Sequence, residues 1–322
     1  MTRLFGIAGV QMSVVPWDAD ATVEKMARIV NRIGHSFPWV KMILFHELCV
    51  PGLVQFDARP SLEQWDRVRQ PIPGPLTERL CAIAQAEGKW LCPGSMYERE
   101  NGNTYNTSIV ISPQGEIVAK YRKIFPWYPF EAESTPGNEF CVFDVPHVGR
   151  FGISICYDMW FPEMIRTLAW MGAEVILHPT MTPTPDRELE LVLSQASAIA
   201  NQCYFIDING VGPWGGGKSL MVDPDGRVLH QAGTNETLIT EMLDLDRVTR
   251  VREYGNFGLT QTLKHLRDSD IRFPQYQQAF GEGAVFRGLG KLQHHPEWTA
   301  DPTPMHVLHE APHEDQGPDE PL

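Results

Sequence analysis

No apolar run in this sequence approaches the roughly 20 residues needed to cross a bilayer. The amino terminus turns polar within its first dozen residues, without the basic-then-apolar order of a secretory signal. Six cysteines (Cys49, Cys81, Cys92, Cys141, Cys156 and Cys203) include no C-x-x-C pair. Neither a zinc knuckle nor a disulfide framework is therefore suggested, and the expected compartment is a reducing cytoplasm. Positive charge is also scarce: 27 basic residues stand against 40 acidic ones, a net charge of −13. Such a surface opposes phosphate backbones and anionic membranes, so neither nucleic acid nor a membrane is an expected partner.

What is present is ordinary globular material, 322 residues with 43% hydrophobic side chains, enough for one large core or two modest ones. Apolar, β-rich runs at 5–10, 42–45, 90–92, 107–111, 151–156, 175–178 and 204–208 alternate with helical patterns at 22–33, 76–87, 162–171 and 188–201. That alternation predicts an α/β fold. Pro113-Gln114-Gly115 and Pro224-Asp225-Gly226 each separate two short β-like runs, which predicts hairpins over 108–120 and 219–230. From His294 onward the sequence is rich in Pro, His and acidic residues. The expected organisation is a catalytic domain over 1–268 and a C-terminal extension over 269–322 whose latter part is extended or disordered.

The segment Phe151-Gly152-Ile153-Ser154-Ile155-Cys156 reads as an apolar strand ending in cysteine, and Pro162 and Glu163 open the next helix. A thiol at such an elbow faces helix amides that favour thiolate and an adjacent oxyanion. A lone buried cysteine is more often a small core hydrophobe, so context must decide. Glu47 comes just after the apolar run 42–45, and Lys123 just after the first hairpin. Alone, these are a strand-end carboxylate and a solvated surface charge. With Cys156 they complete a pattern.

In chain order come Ala8-x-Val10-Gln11, Glu47, Gly94-Ser95, Tyr105-Asn106, Gly115, Tyr121-Arg122-Lys123, Glu131 with Pro136-Gly137, Cys156-x-Asp158 with Pro162-Glu163, Gly172-Ala173-Glu174, Asn209 and Gly217-x-Ser219. This series resembles the nitrilase, or carbon–nitrogen hydrolase, superfamily. Residues 123–131 look like aliphatic amidases and formamidases, and 156–163 look more like carbamoylputrescine amidases. His46 departs from the proline usual before the glutamate. The resemblance implies an α-β-β-α four-layer sandwich, dimers or larger homo-oligomers joined through helical faces, and hydrolysis of a small neutral amide or carbamoyl compound through a cysteine thioester. It gives Glu47 as general base, Cys156 as nucleophile, Lys123 with the Tyr157 backbone N–H as oxyanion donors, and Glu131 as a second carboxylate that positions substrate and Lys123. No cofactor or metal is expected, because carboxylate, ammonium and thiolate suffice. A nitrilase is the alternative, disfavoured because Asp158 stands where such enzymes usually carry glutamate; a noncatalytic scaffold is another, against which the intact Glu47, Lys123 and Cys156 argue.

Two motifs are read as decoys. Residues 212–219 satisfy G-x-x-x-x-G-K-[ST], but residues 220–226 read as strand and turn rather than the helix a phosphate loop requires. His294, His295, His306, His309 and His313 sit in a proline-broken segment without fixed geometry for a metal. For the substrate, Trp127, Tyr128, Phe130 and Trp160 are expected to form an aromatic pocket beside Tyr157, at least one of the four being core packing. The first arginine after Cys156 is Arg166, about two turns into a helix, so no cation is expected there to hold a substrate carboxylate.

Overall fold

The computed structural model describes residues 2–51, 62–128, 130–212, 215–256 and 258–276. One sheet is built from β1 (Leu4–Gln11), β2 (Val40–Phe45), β3 (Arg69–Gln70), β4 (Trp90–Cys92), β5 (Ser95–Glu100), β6 (Asn103–Ile111) and β7 (Ile117–Arg122), closed by a late strand, β16 (Thr237–Asp244), antiparallel to β1. Its order is β16-β1-β2-β4-β6-β5-β3, with β7 on β6. The second sheet runs β15-β14-β11-β10-β9-β8, comprising β8 (Cys141–Val145), β9 (Gly149–Ile153), β10 (Val175–Thr180), β11 (Tyr204–Asn209), β14 (Leu220–Val222) and β15 (Val228–Gln231). β12 (Val211–Gly212) and β13 (Gly215–Gly216) form a small separate ladder.

Strand periodicity explains the layers. In β2, Met42 and Leu44 join Phe151, Ile153 and Val175 in the core between the sheets, whereas Ile43 and Phe45 join Val23, Met26, Val30 and Leu80 under the helices. Side chains alternate across a strand, so a strand buried on both faces reads as a continuous apolar run. At Gly9 the sheets approach so closely that a Cβ would sit 2.1 Å from Ile208 Cδ1.

The outer helices arise from caps and stripes. Asp18 accepts from the Ala21 amide at 2.8 Å and starts α1 (Ala19–Ser36), whose Val23, Met26, Val30 and Ile33 form one buried face. Behind a short α2 (Leu62–Val68), α3 (Pro75–Glu87) packs on α1. Pro162 opens α4 (Pro162–Trp170), which packs with α5 (Asp186–Asn201) on the second sheet. The result is helices, sheet, sheet, helices, the four-layer α/β arrangement expected. After β16 come α6 (Leu245–Tyr254) and α7 (Thr262–Asp268). Both expected hairpins are present, as β6–β7 and β14–β15. The tail from His294, with its histidines, lies outside the described residues.

Candidate active site

Three strand ends meet between the sheets. β2 ends at Phe45, two residues before Glu47; β7 ends at Arg122, next to Lys123; β9 ends at Ile153, and Cys156 opens a 3-10 turn over Cys156–Trp160. The elbow differs from the expected strand-to-helix junction. The strand stops three residues before the cysteine, and α4 begins only at Pro162. Asp158 is the physical reason: its carboxylate accepts from the Tyr121 hydroxyl at 2.6 Å, the Ile155 amide at 2.8 Å and the Phe125 amide at 3.0 Å. This closes the chain into a tight turn and puts Cys156 at φ 47°, in the left-handed region.

Lys123 is the hub. Its ammonium donates to Glu47 Oε1 at 2.8 Å and to Glu131 Oε2 at 2.5 Å. Asn106 on β6 bridges the same carboxylates, donating from Nδ2 to Glu47 Oε1 at 2.9 Å and Glu131 Oε1 at 2.8 Å. The Trp127 amide adds a bond to Glu131 Oε2 at 2.7 Å. Lys123 is also fixed through its backbone, donating to Asn106 O and accepting from the Gly137 amide, each at 2.8 Å. Gly137 has no room for a side chain, since a Cβ would lie 2.2 Å from Arg122 O. Far from being a solvated charge, Lys123 is 1% exposed, like Glu47 and Glu131.

Burial pushes the Glu47 carboxyl above its ordinary range, with Lys123 opposing and Glu131 reinforcing the shift. Burial disfavours the Lys123 ammonium, but Glu131 and Glu47 outweigh it and hold its pKa well above the ordinary value. Burial and then the charge of Glu47 raise the Cys156 thiol well above its usual range, while Lys123 pulls it down. The resting sulfur therefore keeps its proton, and the thiol's hydrogen bond to Glu47 is a route for its removal. Helix amides do not dominate here, because the turn at Cys156 is only five residues long.

The aromatic residues divide. Trp160 is partly buried against the core, and Tyr157 lies 6.2 Å from it, centroid to centroid. Trp127 and Phe130 pack at 4.8 Å in the loop from Lys123 to Glu131, which also carries Tyr128. Arg166 donates to the Ala200 carbonyl, away from the thiol. In the sequence Asn106 is no more than a landmark, and Thr182, Arg187 and Glu190 are missed; a polar residue such as Asn106 inside a strand is the one available signal. His46, replacing proline, binds the Glu47 carbonyl through Nδ1 at 2.8 Å.

The phosphate-loop pattern leads into a strand, not the helix that such a loop requires. After Ser219 comes β14, and the Ser219 hydroxyl and amide both donate to Gln11 Oε1, at 2.8 and 2.9 Å. Among the described residues no cluster of His, Cys, Asp and Glu is arranged to hold a metal ion, and no helix is long and apolar enough to cross a membrane.

Residues 6–253 match the family model for carbon–nitrogen hydrolases. The human omega-amidase NIT2 is 34% identical over 217 residues, covering 62% of this chain and 77% of that protein. A formamidase of Bacillus cereus is 29% identical over 226 residues, covering 68% and 66%. Among solved structures, Saccharomyces cerevisiae Nit3, a member of branch 10 of the nitrilase superfamily, superposes with a TM-score of 0.69 at 25% identity, covering 78% of this chain and 94% of that one. A mutant of the amidase from Nesterenkonia sp. AN1, in complex with butyramide, superposes with a TM-score of 0.66 at 25% identity, covering 78% and 95%.

Proposed function

The chain belongs to the carbon–nitrogen hydrolase family and hydrolyses amide C–N bonds, and we propose that it does so through a thioester on Cys156, with Glu47 as base. The observation that carries this reading is the Lys123 ammonium held between two buried carboxylates beside a buried thiol. Glu47 takes the thiol proton as sulfur attacks the carbonyl. Lys123 and the Tyr157 backbone N–H stabilise the oxyanion, and Glu47 returns the proton to the departing amine. Water, deprotonated by Glu47, then cleaves the thioester and frees the acid. Glu131 acts on this sequence by fixing Lys123. The substrate is a small neutral amide or carbamoyl compound lying against Tyr157, Trp160 and the Trp127–Phe130 loop, in keeping with the omega-amidase, formamidase and butyramide-binding relatives. The catalytic domain spans 1–268.

Ammonia release from formamide, aliphatic and aromatic amides and nitriles tests the assignment. Cys156→Ala should abolish turnover and leave the melting profile unchanged; wild-type-like ammonia release overturns the mechanism. We also assign Trp170, Leu189, Val192 and Ile199, exposed apolar side chains of α4 and α5, to an interface with a second copy. Sedimentation should give a dimer or larger assembly that Val192→Arg weakens, and a monomeric wild type refutes this.

A further inference from the structure

Behind Cys156 lies a second buried ionisable cluster that the chemistry above does not use. Thr182 Oγ1 is 3.8 Å from Cys156 Sγ, 3.3 Å from Thr180 Oγ1 and 3.0 Å from Glu190 Oε1. Glu190 Oε2 accepts from Arg187 at 3.2 Å, and the same guanidinium nitrogen pairs with Asp207 at 2.8 Å. Ser194 also donates to Asp207, and Arg187 reaches the Lys218 carbonyl at 2.8 Å. Arg187 and Glu190 are each 2% exposed, Asp207 not at all. Asn209 clamps the Thr182 backbone, accepting from its amide at 2.9 Å and donating to its carbonyl at 3.0 Å, so the hydroxyl hydrogen is the part left to turn.

Charge decides how it turns. One guanidinium faces two carboxylates in a dry setting, and the cluster balances only when one carboxylate holds a proton. Glu190 has the longer link to Arg187, so the proton belongs there. A hydroxyl has one hydrogen to give. With Glu190 ionised, Thr182 spends that hydrogen on the carboxylate and turns a lone pair toward sulfur. With Glu190 protonated, the carboxyl donates to Thr182 Oγ1, and the Thr182 hydrogen can point at Sγ.

We propose that Glu190 is a positioning residue that, when protonated, turns the Thr182 hydroxyl into a hydrogen-bond donor to Cys156 and so sets the reactivity of the nucleophile. The proposal rests on Cys156 being that nucleophile. Burial, opposed by Arg187 and aided by Asp207, pushes the Glu190 carboxyl up to about 7, where the switch falls in a working range. The other groups facing it have partners of their own. Asp207 on β11 is raised by burial but bound to Arg187 and Ser194. His178 on β10 is buried, pushed down to about 3 and thus neutral. Lys218 in the glycine loop pairs outward with Glu188. Across the thiol, Glu47 and Lys123 hold each other.

The test measures the rate of Cys156 alkylation by iodoacetamide, read by peptide mapping, together with kcat/KM for an amide substrate, from pH 5.5 to 8.5. The proteins are the wild type, Glu190→Gln, Thr182→Ser and Thr182→Val. A glutamine can still accept from Arg187 while donating to Thr182 at every pH. The ratio of wild-type to Glu190→Gln reactivity should therefore fall several-fold as pH rises through about 7. Thr182→Ser should keep the wild-type step, and Thr182→Val should lose it. Superimposable wild-type and Glu190→Gln profiles, or a step that survives in Thr182→Val, overturn the relay. If Glu190→Gln fails to fold, the Thr182 pair decides alone. An active Cys156→Ala enzyme would instead remove the nucleophile assignment, whereas an inactive one with superimposable profiles removes only the relay.

Discussion

Lys123→Ala takes away the cation that two buried carboxylates share. Among the described residues, Glu47 and Glu131 would then be joined only through Asn106 Nδ2. Removing one partner of a buried ion pair costs about 3–5 kcal/mol, which in a domain of this size lowers Tm by on the order of 10 °C. The loss should depend on pH. In the wild type the Lys123 pKa lies well above 10.5, so its stabilisation, complete below the unfolded value, is lost only at still higher pH and is constant from pH 5 to 9. In the variant, burial and Glu131 still raise the Glu47 pKa above 4.5, without the opposing ammonium. Ionising a carboxyl whose folded pKa is raised opposes folding, a penalty absent below the unfolded value and growing as pH climbs to the folded one. Melting curves should therefore show a larger deficit at pH 8 than at pH 5. Turnover should fall about 100- to 1,000-fold, the cost of losing one oxyanion donor. Lys123→Arg should not restore it, because a planar fork cannot fill a point-charge position. An equal deficit at both pH values, or near-normal turnover in the arginine variant, refutes the reasoning.

Glu131→Gln should lower kcat strongly with a modest Tm change, because an amide keeps an acceptor for one donor but loses the charge that holds Lys123; an unchanged kcat removes Glu131 from the site. Neutral amides should be preferred over N-carbamoyl-β-alanine in kcat/KM, and a clear preference for that anion would contradict the charge balance around Cys156.

The layers were readable because strands buried on both faces, such as 42–45, give unbroken apolar runs. β5 escaped notice because its sequence is polar and charged. Glu98 in it is fully buried, yet the Lys120 ammonium at 2.9 Å and the Arg122 guanidinium at 2.8 Å neutralise it from β7. That compensation exists only after β5, β6 and β7 have paired. β16 escaped for a related reason: it finds its place against β1 from the far end of the domain, a pairing no local pattern announces.

The proposed catalytic positions stood out in the sequence because each comes after a strand end and falls at a fixed place in an ordered series of motifs. Arg187 did not, since it lies far along the chain from Cys156 and only the fold brings it in, from α5. Its arrival changes the physical basis of the substrate proposal rather than its direction. An arginine does lie behind the thiol, so an apolar wall alone no longer argues against an anionic substrate. But its guanidinium already faces Asp207 and Glu190, and a substrate carboxylate would add a buried anion that this cation is not free to match. The preference for a neutral group therefore rests on charge already spent within the cluster.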